Sequence, residues 1–154
     1  MALLLPLAHR DPRTAQQILD VLLPAYAQEA RLLQHNHFAP LLRSVAQIQA
    51  SPDWHLGASV DERLSGVLSL GPDDEAGQLS INMLVVHPRA QRQGLARALL
   101  LELRQRSQGM VLAVSTAAGN APALALYRGL GFVVYRQGSI GAEELPLLKL
   151  RLRA

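Results

Sequence analysis

Apolar and polar positions along the chain follow two periods, and their succession predicts an order of elements. Leu3 to Ala8 is apolar and reads as a first strand. Ile18, Leu19, Leu22 and Leu23 recur with helical spacing, so a helix runs from a cap at Asp11 or Thr14 to about Ala30, with Pro24 as a kink or break inside it. Gln34 to Pro40 reads as a loop and Leu41 to Ala50 as a short second helix. Trp54 to Val60 and Arg63 to Leu70 flank Asp61-Glu62 as a hairpin. Gly71 to Gly77 is a loop by composition, and Leu79 to Val86 is the next strand, ended by His87-Pro88. Arg92 to Gln108 carries Leu95, Leu99 and Leu103 on one face and predicts a long helix, closed by Gly109. Met110 to Val114 is a buried-type strand, Asn120 caps a helix ending near Leu130-Gly131, and Phe132 to Arg136 is a strand. In the last strand Leu148, Leu150 and Leu152 alternate with Lys149, Arg151 and Arg153, a cationic face that predicts a protected sheet edge. The order β, α, α, β, β, β, α, β, α, β, β joins hairpins to helical crossovers. It predicts an α/β (α+β) fold with flanking helices on a mixed sheet, in one domain spanning residues 1–154.

Composition narrows the function classes. At 49% hydrophobic and 18% charged, the chain can bury a core and is not a disordered segment. It has no cysteine, which excludes disulfides, thiolate metal sites and cysteine nucleophiles. The pI near 9.9 invites a nucleic-acid partner, but the net charge is only +3 and no basic run exists. Lys149 is the only lysine, so the pI mostly reports how high arginine titrates. Ala2 to Ala8 is short, contains Pro6 and lacks a basic n-region, so it does not read as a signal peptide. No stretch approaches the roughly 20 apolar residues of a membrane span. A cytoplasmic location is the expectation.

Two segments carry candidate chemistry. From Val85 to Leu100 a strand ends, a turn follows, and a helix opens at Gly94 and Ala96. The first turn of a helix leaves backbone N–H groups without partners and binds phosphate well. Gly94 lets a ligand approach the backbone, and Arg92 and Arg97 add positive charge. Neither a G-x-x-x-x-G-K-[ST] loop nor a G-x-G-x-x-G turn is present. In the second segment Asn120 and Tyr127 lie two turns apart on nearly one helix face. Taken singly, the first segment also fits an ordinary strand–turn–helix, and the second a cap and a groove-filling tyrosine.

Together the two segments resemble the GNAT superfamily of acyl-CoA-dependent N-acetyltransferases. Gln91, Gly94 and Ala96 match its [QR]-x-x-G-x-[GA] turn, which follows the strand end Val86-His87-Pro88. Asn120, Ala123, Leu126, Tyr127, Gly131 and Phe132 match its later N-x-x-A-x-x-L-Y-x-x-x-G-F pattern. The resemblance implies a GNAT-type sheet of six to seven strands with a splayed strand pair holding the CoA. It implies acetyl-CoA as co-substrate, no metal, and a small-molecule or peptide amine as acceptor. The turn Gln91, Arg92, Gln93, Gly94, Leu95, Ala96 and Arg97 would hold the pyrophosphate. Leu84, Val85 and Val86 would pair with the pantetheine arm, one of their N–H groups polarising the thioester carbonyl, and Met110 to Val114 would form the other wall. Asn120 would bond the pantetheine, and Tyr127 would protonate the departing thiolate. Acceptors named by the resemblance include a ribosomal-protein N-terminus and aminoacyl-tRNA. A CoA-binding regulatory domain without catalysis, or a basic RNA-binding domain on the same fold, are the alternatives.

The general base stays open. Many relatives carry a Glu on the strand before the turn, whereas Leu79 to Val86 holds no carboxylate. Ser80 or Asn82 would at most position a water. Glu29, His35, His37, Asp73 and Asp74 are candidates because their segments border the acceptor site in relatives. His87, at a strand end, reads as structural. His35-Asn36-His37 lacks a third ligand by spacing; it reads first as surface histidines without a role and next as a polar lip over the acceptor pocket, with Tyr26, Phe38 and Trp54 as apolar lining. The edge strands and the final hairpin are the candidate surfaces for a homodimer.

Overall fold

The computed structural model describes residues 2–34, 43–141 and 144–154. β1 (Ala2–Pro6) stops at its proline, short of the expected Ala8. Asp11 caps α1 (Pro12–Leu33), accepting the Arg13 amide at 2.8 Å, and Pro12 occupies the first turn, where no amide is needed. Pro24 lies within α1 without ending it, and the helix continues past Ala30. α2 (Val45–Ala50) opens behind Ser44 in a capping box with Gln47, which fixes its start later than the pattern suggests. Residues 41 and 42 of the expected helix lie outside the described residues.

β2 (Trp54–Val60) and β3 (Arg63–Pro72) form the expected hairpin. Asp61 and Glu62 both take positive φ, 51° and 62°, as a two-residue primed turn requires. β3 runs through Gly71-Pro72, which pair with Ser80 and Leu79 of β4 (Gln78–Val86), so the loop between them is shorter than composition suggests. A 3₁₀ turn at Pro88–Ala90 leads to α3 (Leu95–Arg106). α3 begins at Leu95 rather than Arg92 because Arg92 and Gly94 sit at φ 63° and 76°, outside any right-handed helix. β5 (Val111–Ala117), α4 (Ala121–Gly129), β6 (Val133–Ile140) and β7 (Leu145–Arg153) follow.

The strands make one mixed seven-stranded sheet in the order β1-β2-β3-β4-β5-β7-β6, in which only β4 and β5 pair in parallel. β7 is therefore not an edge: it lies between β5 and β6. Its cations anchor neighbours instead of guarding a rim. Lys149 Nζ meets Asp73 Oδ1 at 2.8 Å, and the Arg151 guanidinium lies over the Tyr135 ring at 4.3 Å.

Each face of the sheet carries its own apolar layer. α1 and α2 set Ile18, Leu22 and Ile48 against Val67, Met83 and Val85. α3 and α4 set Leu99, Leu103 and Leu124 against Leu56, Leu68 and Leu112 on the other side. Each fully buried leucine of this kind contributes about 1.5–3 kcal/mol. These two layers fix the helix N-termini and the middle of the sheet relative to one another.

Candidate active site

The site begins with a fault in β4. Its pairing with β3 steps from Ser69↔Met83 to Leu70↔Ile81, which leaves Asn82 as an extra, bulged residue. Asn82 Nδ2 donates to Asp53 Oδ2 at 2.9 Å, and its Oδ1 accepts from Ser80 Oγ at 2.8 Å. Gly71 makes room for this arrangement: a Cβ there would lie 2.2 Å from Asp53 Oδ1. The bulge re-aims β4. Parallel pairing with β5 covers only Gln78↔Val111 to Ile81↔Val114, although β4 continues to Val86 and β5 to Ala117. Beyond Ile81 the two strands part, so the splayed pair is present.

Backbone groups face the gap. The His87 amide donates to Ser65 O on the β3 side. Alternation along the strand then turns the N–H and C=O of Leu84 and Val86 to the open side. Val86 O there accepts from Gln91 Nε2 at 3.3 Å, and the Gln91 amide also donates to the Gln28 side chain on α1. These bonds tie the turn to β4 and α1. His87 Nδ1 accepts the Arg89 amide at 3.1 Å, a structural cap as expected.

A cleft of about 500 Å³ follows the gap from the α3 N-terminus to α4. Leu84, Val85 and Val86 line it, as do Gln91, Arg92, Gly94, Leu95, Ala96 and Arg97 of the turn, and Asn120 and Tyr127 of α4. The sequence named all of these. Gln93 is exposed and absent from the wall. α1 adds Ala25, Gln28, Glu29 and Leu32, which the sequence reading left out except for Glu29. Their i, i+3, i+4, i+7 spacing was a legible stripe. At Gly94 nothing lies within 4 Å of a would-be Cβ, so the α3 amides behind it face open space. The residues present therefore fit an extended thioester with phosphates at one end.

A second cavity of about 400 Å³ opens on the far side of Tyr127, between α1, the bulged part of β4, β5 and the start of β7. The two cavities share Glu29, Leu84, Asn120, Ala123 and Tyr127. Tyr127 is buried, its ring edge-on to Phe132 at 5.5 Å, and burial with Tyr26 and Glu29 nearby raises its pKa. Tyr26 is pushed up to about 12 by burial and then by Glu29. Both phenols thus stay protonated through neutral pH. Glu29 is partly buried and accepts from Asn120 Nδ2 at 3.1 Å; burial raises its pKa, and that bond opposes the rise. Asn120 Oδ1 accepts from the Ala123 amide at 3.3 Å and caps α4.

The other candidate bases separate from the site. Asp73 is engaged by Lys149 and Gln78 beside β7, and neither it nor Asp74 lines either of these two cavities. Trp54 does not line the second cavity either; the Arg106 guanidinium covers it at 5.7 Å, on the α3 face. Tyr26 does line that cavity. His35, His37 and Phe38 lie outside the described residues. Among the described residues, no three His, Asp or Glu converge as a metal site. Sequence reasoning missed Ile140, Gly141, Leu145 and Leu147, which close the second cavity from the β6–β7 end.

The Acetyltransferase (GNAT) family model matches residues 16–132, and the chain belongs to that family. UPF0157 protein YqkA of Bacillus subtilis (strain 168) is 35% identical over 127 residues, which are 82% of this chain and 36% of the relative. The chain thus spans about a third of that relative's length. Among solved structures, the ribosomal-protein-S18-alanine N-acetyltransferase from Escherichia coli superposes with a TM-score of 0.73 at 20% identity, over 99% of this chain and 93% of its own. YncA from Salmonella typhimurium, solved with its cofactor acetyl-CoA, gives 0.71 at 21% identity, over 99% and 94%. These likenesses establish the fold.

Proposed function

We propose that the chain is an acetyl-CoA-dependent N-acetyltransferase acting on a primary amine by direct attack. The observation that carries this reading is Tyr127 at the junction of two cavities, one ending at the α3 N-terminus and the other lined by α1, β4 and β5. In this reading Arg92, Arg97 and the first amides of α3 hold the pyrophosphate. The open-side backbone of Leu84 and Val86 pairs with the pantetheine arm, and one of its N–H groups faces the thioester carbonyl as an oxyanion donor. Asn120 borders the arm. The Tyr127 hydroxyl gives its proton to the leaving sulfur; a buried phenol that stays neutral supplies that proton without competing ionisation. The ribosomal-protein-S18 alanine in the name of the Escherichia coli neighbour is one acceptor of this class.

The inactive CoA-binding alternative loses support because a carboxylate, Glu29, does border the junction. The test is amine-dependent release of free CoA thiol. Tyr127→Phe lowers kcat by about 100-fold or more while acetyl-CoA affinity holds. Unchanged kcat removes Tyr127 as the acid, and absence of acetyl-CoA binding removes the reading.

A further inference from the structure

Resting on that acetyltransferase reading, we propose that the acceptor carries one ammonium group on an apolar body, with no carboxylate or second charge close by, and that Glu29 binds this ammonium and takes its proton. Among the described residues, Glu29 is the only charged residue lining the second cavity. The cations of the site, Arg92 and Arg97, line the first cavity alone. Ile81, Met83, Leu84, Val114, Leu145 and Leu147 make most of the remaining wall. Tyr26, with its pKa near 12, adds no charge. Asn82 is neutral, and Asp53 and Ser80 already hold its amide. Asp53 itself stands behind Asn82, off the wall. The cavity of about 400 Å³ holds the space of about a dozen waters.

Physics turns this lining into selectivity. An acceptor ammonium finds one anion, placed where the two cavities meet beside Tyr127. Among the described residues that line the cavity, a carboxylate on the acceptor finds no cation and a second ammonium no second anion, so either is desolvated without a partner there; Arg43 acts on Tyr26 and is not part of the wall. The proton count also closes. As the N–C bond forms and the C–S bond breaks, the ammonium nitrogen gives up two protons. One replaces the proton that Tyr127 gives to sulfur; the other passes to the Glu29 carboxylate and on to water. Burial lifts the Glu29 pKa, which makes it a better proton acceptor than an exposed carboxylate.

Matched acceptors test the idea on the wild-type protein: hexylamine against hexane-1,6-diamine, and leucinamide against leucine, with a leucine-initiated peptide amide as a further arm. The proposal expects kcat/KM to favour the singly charged member of each pair by at least about tenfold. Preference for hexylamine assigns a free amine, and preference for the peptide amide an apolar chain N-terminus; both satisfy the same chemistry. Equal or better turnover of the diamine or of free leucine overturns it. Glu29→Gln should lower kcat/KM by about 100-fold and erase the acidic limb of the pH–rate profile. A retained limb overturns the role of Glu29. Calorimetric titration of acetyl-CoA separates the two levels: binding without turnover of any singly charged apolar amine defeats this proposal alone, whereas absence of binding defeats the acetyltransferase reading beneath it.

Discussion

His55 shows what a single buried polar side chain does to this chain. It is 1% exposed, stacks on His9 at 4.1 Å between ring centroids, and donates through Nδ1 to Asp53 O at 3.0 Å. Its Nε2 has no partner. Burial first, then the neighbouring His9, lowers its pKa below the ordinary 6.5. The folded state therefore binds this proton less readily than the unfolded chain. The associated stability is complete above about 6.5 and is lost as pH falls toward the folded-state pKa. Imidazole resonances followed by NMR should show His55 titrating below the ordinary histidine range; titration at or above it contradicts the account. Glu29 carries the opposite sign: its raised pKa means that protonation on acidification favours the folded state. The sequence named Glu29 only among five candidates, because nothing local distinguishes it. Asn120 lies 91 residues away, and the bond between them is a product of packing.

At the level of elements, the decisive features are the split between β4 and β5 and the turn that opens α3. The turn was legible: glycine, small residue and arginines stand in order after a strand. The split was less so. Leu79 to Val86 reads Leu-Ser-Ile-Asn-Met-Leu-Val-Val, and its apolar run looks the same with or without an extra residue at Asn82. The alternation in β7 was legible, but its place in the sheet was not, since a cationic face suits an edge or an inner strand braced by Asp73 and Tyr135. Gly94→Glu tests the turn. A side chain at φ 76° is strained, and its carboxylate would oppose the pyrophosphate. We expect acetyl-CoA affinity to fall by at least about 100-fold while the fold is kept. Affinity within about threefold of wild type would place the phosphates elsewhere.

Across the whole molecule, charge is sorted by function. The pI near 9.9 invited a nucleic-acid reading, yet the cations divide among separate duties. Arg92 and Arg97 line the first cavity. Lys149, Arg136 and Arg151 are held by Asp73 and Glu75, and Arg106 by Glu102. The order of elements and the mixed sheet were readable because hairpins and crossovers leave different periods in the sequence. The second cavity was not, because it draws on α1, β4, β5 and the β6–β7 end at once. The central claim is that the split between β4 and β5 is an acetyl-CoA site, and calorimetric titration of the wild-type chain with acetyl-CoA tests it most directly. The account predicts one site per chain with a dissociation constant well below about 1 mM. No heat of binding at ligand concentrations of about 1 mM or more would contradict it.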